Sequence, residues 1–190
     1  MRQASVNRKT KETDIALSLC LDGGDICIET GVGFFDHMLT AFAAHAGFGL
    51  CVKCKGDIEV DCHHTVEDVG IVLGKALFEA LGDKSNIARY GSFFVPMDEA
   101  LGFAAVDICN RAYLVFEADF PQEKCGDFDA CMCEEFFRAV ADNAKITLHL
   151  RAPYGNNSHH IAEAIFKAAG HAMSIAAEKR ETTLSTKGSL

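Results

Sequence analysis

Residues 61–70 read DCHHTVEDVG and residues 157–166 read NNSHHIAEAI, so the chain writes His-His-x-x-Glu twice. Sliding the sequence by 96 residues lays LCVKCKGDIEVDCHHTVED onto ITLHLRAPYGNNSHHIAEA without a gap, and a slide of 98 lays the segment around His37 onto the one around Glu135. A duplication on this scale constrains the fold more than any other feature. Each copy must form the same supersecondary unit and must bury an equivalent apolar face.

The periodicities inside the copies say what that unit is. Between Ser5 and Thr30 the runs IALSLCL and ICIE alternate in the manner of strands around the turn residues Asp22, Gly23 and Gly24, which predicts three strands. FFDHMLTAFAAHA has helical spacing and stops before Gly47, and GLCVKCKGDIEV returns to a strand. From His64 to Leu81 apolar residues recur at three and four, and Gly82 ends the run, which predicts a long helix directly after the first His pair. The second copy repeats that order: strands at SFFVPM, FAAVDIC and AYLVFEA, a helix over CMCEEFFRAVADNA, a strand KITLHLRAP, and a final helix from HHIAEA onward. The expected class is α+β, one domain of two fused repeats at about 1–87 and 88–180, followed by a short tail, 181–190.

Charge narrows the partners. Eighteen Lys plus Arg against 27 Asp plus Glu give a formal charge of -9, which offers no general attraction to phosphate backbones or anionic lipid, so neither nucleic acid nor membrane is expected. No apolar run approaches the roughly 20 residues a bilayer needs, and MRQASVNRKTKET lacks the apolar segment of a secretory signal. Nine scattered cysteines suit a reducing compartment, and cytoplasm is the expected location. Cys51 and Cys54 form a C-x-x-C, but it lies inside a strand-like run without a Gly-containing knuckle, which argues against structural zinc.

On a helix, residues three or four apart share a face, so Glu67 can join His63 or His64 around a metal ion, and Glu163 can join His159 or His160. Adjacent helical residues diverge by about 100 degrees, which suits each His pair to two different ions. Two motifs therefore point to two metals. His37 and Glu135, aligned by the second slide, bring the candidate ligands to eight, which divide into two sets of four. Nitrogen and oxygen donors without thiolate fit an ion free to be six-coordinate, manganese or ferrous iron, better than closed zinc. A lone HHxxE at a helix start is commonly capping and surface polarity, but two copies at equivalent positions favour metal. His149, alternating within a strand, and His171, deep in the last helix, read as structural or surface histidines.

Five separated segments, GVGFFDHML, DCHHTVEDVGI, IARYGSFFVPMDEAL, GNNSHHIAEAIFKA and STKG, together resemble the imidazoleglycerol-phosphate dehydratase family of histidine biosynthesis, in the family's order and over nearly the whole chain. The resemblance implies two fused half-domains of the ribosomal protein S5 domain 2-like type, each a four-stranded mixed sheet backed by two helices. It implies a carbon–oxygen lyase that dehydrates D-erythro-imidazoleglycerol phosphate to imidazole acetol phosphate with two Mn2+ ions per active site. In that substrate the proton to be removed is not next to a carbonyl, so the ring must help. Ions on both ring nitrogens favour an imidazolate whose electrons expel the adjacent hydroxyl, giving a diazafulvene-like intermediate. No redox cofactor is needed, consistent with the lack of a GxGxxG fingerprint.

By position, the resemblance assigns His37, His63, His64, Glu67, His159, His160 and Glu163 to the metals, with Glu163 also a candidate to deprotonate the ring. Glu135 departs from the His that familiar members carry before the Phe-Phe pair, although a carboxylate can still ligate manganese. Glu12, His45 and Asp98 match groups around the departing hydroxyl and the proton transfers, and His37 also lies along the substrate. Arg89, Arg111 and Lys187, with the hydroxyls of Ser185 and Thr186, match phosphate-binding positions, and Ala41 stands where a phosphate-binding Gln is usual. The resemblance further implies a homo-oligomer, trimers assembled into a 24-subunit octahedral shell. Two rival classes are a different dinuclear metal hydrolase and a noncatalytic metal-storage shell.

Overall fold

The computed structural model describes residues 1–182, so Ser185, Thr186 and Lys187 lie outside the described residues. Strands β1 (Gln3–Lys9), β2 (Thr13–Cys20) and β3 (Ile26–Glu29) lead into helix α1 (Gly33–Ala46), then β4 (Gly49–Gly56) and helix α2 (His63–Leu81). The second half runs β5 (Tyr90–Met97), β6 (Ala100–Asp107), β7 (Tyr113–Ala118), a small hairpin of β8 (Lys124–Cys125) and β9 (Phe128–Asp129), helix α3 (Met132–Ala144), β10 (Thr147–Tyr154) and helix α4 (Ser158–Ala176). Apart from that hairpin, which no sequence period announces, the two halves follow one order.

The sheets repeat that correspondence. One has strand order β1-β2-β4-β3 and the other β5-β6-β10-β7. In each, the first three strands pair antiparallel, while the last, β3 or β7, joins its neighbour parallel through a helical crossover. The fold is therefore the expected α+β arrangement of two four-stranded mixed sheets with two helices each. Strand β2 alternates buried and exposed along its length, with Ile15, Leu17 and Leu19 facing the core. Strand β6 alternates buried and half-buried residues, with Ala100, Ala104 and Val106 facing the core.

The helices join the halves crosswise. Helix α2 packs on β1 and β2 and against α3, while α4 packs on β5 and β6 and against α1. Both crossings depend on a missing side chain. A Cβ on Gly74 would lie 2.7 Å from Asn143 Cβ and 2.8 Å from the Val140 carbonyl, and one on Gly170 would lie 2.5 Å from the Phe42 carbonyl and 3.1 Å from Ala46 N. These glycines stand 96 residues apart, and the residues they touch stand 98 apart, the same two slides that relate the motifs. Where the halves meet, fully buried Phe35, Phe136, Phe137 and Phe166 contact one another at ring-centroid distances of 4.6–5.3 Å. Each such ring contributes roughly 1.5–3 kcal/mol by leaving water. Among the described residues no helix is long and apolar enough to cross a membrane.

Candidate active site

Helix α4 begins directly after a tightly tied turn. Asn157 caps it by accepting from His159 N at 2.9 Å, and Ser158 exchanges hydrogen bonds with Gln122. That start directs His159 and Glu163 toward His37, one helix away on α1. Nitrogen atoms of His37 and His159 and a carboxylate oxygen of Glu163 all lie within 4.8 Å of one another. Glu163 Oε2 stands 3.3 Å from His159 Nε2 and 3.6 Å from His37 Nε2, and Oε1 accepts from Lys167 Nζ at 2.7 Å. Burial opposes ionisation of Glu163, but Lys167, by hydrogen bond and charge, together with His37 and His159, outweighs it and holds the carboxyl below its ordinary range. Beside this group opens a groove of about 490 Å³ lined by Phe34, His37, Gln122, Cys125, Asn157 and His159.

The second histidine of each pair turns elsewhere. The rings of His159 and His160 are 6.1 Å apart at 75°, and those of His63 and His64 are 6.2 Å apart at 76°. His160 Nδ1 bonds Glu99 at 2.7 Å, leaving Nε2 toward Asp98 at 3.7 Å. His64 repeats the device, with Nδ1 on Asp57 at 3.0 Å and Nε2 toward Glu12 at 3.9 Å. A carboxylate on one ring nitrogen orients the imidazole and frees the other nitrogen's lone pair, which is how metal-binding histidines are commonly prepared. The same bonds raise both imidazole pKa values, and the His160 bond draws Glu99 down to about 2.

In the other half the correspondence is incomplete. His63 Nε2 lies 3.5 Å from Glu67 as a pair, and Glu135 on α3, at the place equivalent to His37, turns to Arg138 at 3.9 Å. Among the described residues only His37, His159 and Glu163 form a three-donor group that close. Within one chain, the eight expected ligands therefore form one triad, one pair, two half-buried imidazoles each bonded to a carboxylate of the same chain, and a carboxylate set apart.

The cations converge on a separate spot. Arg89, with a φ of 72°, grips Asp107 through Nε at 2.7 Å and Nη2 at 3.2 Å, and Arg111 Nη2 reaches the same carboxylate at 3.7 Å. Ala41 is buried on α1. His45, in the last turn of α1, places Nδ1 2.9 Å from His171 Nε2, and burial, then the charges of His171 and Lys167, lower its pKa. His149 faces outward from β10, as its alternation predicts. Cys54 is buried and Cys51 only partly so, with no shared zinc group among the described residues.

Asp57, Glu99, Lys167 and His171 have no place in the repeated motif, yet each bonds a residue that the sequence singles out. Asp57 and Glu99 could have been noticed as the acidic residues just before each His pair in space, but only the β4–α2 and β5–β6 turns bring them there. Lys167 follows Glu163 by one helical turn, a spacing that does signal an ion pair.

A family profile described as imidazoleglycerol-phosphate dehydratase matches residues 30–173. Proteins of that name from Acetivibrio thermocellus and Bacillus cereus are 59% and 58% identical to this chain, each covering 100% of it and 99% and 100% of the relative. Among solved structures, imidazoleglycerol-phosphate dehydratase from Staphylococcus aureus aligns with a TM-score of 0.86 at 43% identity, covering 93% of this chain and 99% of the other. The one from Pyrococcus furiosus aligns with a TM-score of 0.86 at 37% identity, covering 97% and 100%. The repeated motif, the paired sheets and these likenesses agree, and the chain belongs to the imidazoleglycerol-phosphate dehydratase family, hydro-lyases of histidine biosynthesis.

Proposed function

We propose that this chain dehydrates D-erythro-imidazoleglycerol phosphate to imidazole acetol phosphate with two Mn2+ ions per active site. The observation that carries the reading is the His37, His159 and Glu163 triad, three donors already gathered from two helices. Its nitrogen and oxygen donors, without thiolate, fit an octahedral ion of manganese type, and three donors leave positions for substrate. His64 and His160, oriented by Asp57 and Glu99, are suited to a second ion and to ligation across a subunit boundary. One chain gathers a single three-donor group among its described residues, which supports sites completed between copies of the chain, in trimers that build a 24-subunit shell. His63, Glu67 and Glu135 complete the ligand set by equivalence with the triad.

The chemistry the ions supply when bound is Lewis acidity toward the two nitrogens of the substrate imidazole. Glu163, held ionised by Lys167, takes the ring proton. The ring electrons then expel the neighbouring hydroxyl as water, through a diazafulvene-like intermediate, and loss of the adjacent C–H proton gives an enol that becomes the ketone. Glu12 and Asp98, which flank the free nitrogens of His64 and His160, and His45 serve the departing hydroxyl and the proton transfers. Arg89 and Arg111 supply a paired cationic seat for phosphate, and the tail at 181–190 adds Ser185, Thr186 and Lys187. The chain works in the cytoplasm as one unit of two repeats, about 1–87 and 88–180, with that tail.

The test is an assay of purified protein stripped with a chelator, then supplied with imidazoleglycerol phosphate with and without Mn2+. Formation of the acetol product only with the ion is expected. Release of inorganic phosphate would instead indicate a metal hydrolase, and tight Mn2+ binding without turnover a storage shell.

A further inference from the structure

The α1–α4 crossing carries an imidazole pair that the rest of the fold does not require. His45 Nδ1 and His171 Nε2 are 2.9 Å apart, with their rings 4.8 Å apart at 74°. The His171 ring also stacks on Phe93 of β5, at 4.2 Å and 28°. His171 is thus fixed by the sheet beneath it and fixes His45 in turn. The contact depends on Gly170, where the backbone of α4 approaches α1 so closely that an added Cβ would stand 3.3 Å from His45 Cβ.

The other half of the chain is an internal control. Gly74 brings α2 against α3 in the same way, but Asn143 stands where His45 stands, and Lys75 where His171 stands. Asn143 spends its amide on the Ala139 carbonyl of its own helix, at 2.8 Å. Two equivalent crossings are therefore built, one with an imidazole pair and one without. Packing alone does not call for the pair. Of two hydrogen-bonded imidazoles one nitrogen must donate and the other accept, so the state of His171 decides which nitrogen of His45 bears hydrogen.

We propose that His171 is a positioning residue, which holds the His45 ring in the orientation and tautomer that its work on the substrate requires. The inference rests on the role given to His45 above. It identifies a further residue for the dehydration, outside the repeated motif and acting through His45.

Two substitutions separate the hydrogen bond from the packing. His171→Leu keeps an apolar side chain against Phe93 and removes the bond, whereas His171→Gln offers an amide near the position of Nε2. With imidazoleglycerol phosphate and saturating Mn2+, His171→Leu is expected to lower kcat by ~10–100-fold, the loss that accompanies a reacting group displaced by about an ångström. KM, bound metal and thermal midpoint should stay near wild type, and His171→Gln should recover most of kcat. His45→Ala, measured alongside, should be at least as impaired as His171→Leu. Wild-type kcat in His171→Leu with a crippled His45→Ala overturns the proposal, as does equal loss in the Leu and Gln variants. Near-normal turnover in His45→Ala would overturn it too, and would place the failure in the role assigned to His45.

Discussion

Adding one methyl group at each helix crossing tests both the packing and its link to the site. In Gly170→Ala the new Cβ would sit 2.5 Å from the Phe42 carbonyl, about 0.9 Å inside the 3.4 Å at which ordinary contact begins. Backbone cannot rotate out of the way, so α1 and α4 must part. Overpacking of this kind costs roughly 1–3 kcal/mol, and replacing a helical Gly by Ala returns about 1 kcal/mol. A net loss near 1 kcal/mol should lower the thermal midpoint by ~2–4 °C in a chain of this size. Gly74→Ala, with its Cβ 2.7 Å from Asn143 Cβ and 2.8 Å from the Val140 carbonyl, should lose about as much. Turnover should not follow stability. Parting α1 from α4 stretches a His45–His171 bond that begins at 2.9 Å, so at saturating Mn2+ kcat should fall ~10-fold in Gly170→Ala and much less in Gly74→Ala. Differential scanning fluorimetry and product formation read the two effects. A Gly170→Ala protein with unchanged midpoint and kcat would refute the reasoning from close approach.

Arg89→Ala should raise KM for the substrate by ~10–100-fold while leaving bound manganese unchanged, since a charge-assisted contact to phosphate is worth about 1.5–3 kcal/mol; steady-state kinetics with metal analysis checks both. For Glu135, equivalent in place to His37, Glu135→Gln should weaken manganese binding ~10-fold and Glu135→His should retain it, as measured by titration. Equal affinity in all three proteins would leave Glu135 with Arg138 and remove it from the ligand set.

The repeat made much of this legible in advance. A His pair followed by Glu at the head of a long apolar-faced helix specifies both the helix start and the side on which its ligands emerge, so the slides of 96 and 98 locate four helices and their equivalences. Periodicity does not say which helix meets which. That α4 crosses α1, and so brings His159 and Glu163 to His37, is settled by the shape of Gly170 against Phe42, a contact between residues 128 positions apart. The β8–β9 hairpin is too short to show a period. His171, which reads as a structural or surface histidine within its helix, gains its interest from Phe93 and His45, which only folding brings near. The neighbouring glycine, matched by Gly74 in the other copy, was the signal that could have drawn attention to it. Glu135 marks the reverse case: the slide gives its equivalence to His37, but side-chain direction depends on Arg138, one turn along.

The crosswise pairing of the helices also bears on whether the halves can exist apart. Each half owns a complete sheet, but α1 and α2 find their closest helical neighbours in α4 and α3, beyond the junction at about 87–88. A chain severed at that junction would yield two pieces with matching bare faces, each holding helices whose counterparts lie on the other piece. Neither would be a small version of the whole. Mixed together they could remake both crossings without the peptide link, which makes the connecting segment a tether that raises local concentration and leaves recognition between the halves to the helices themselves.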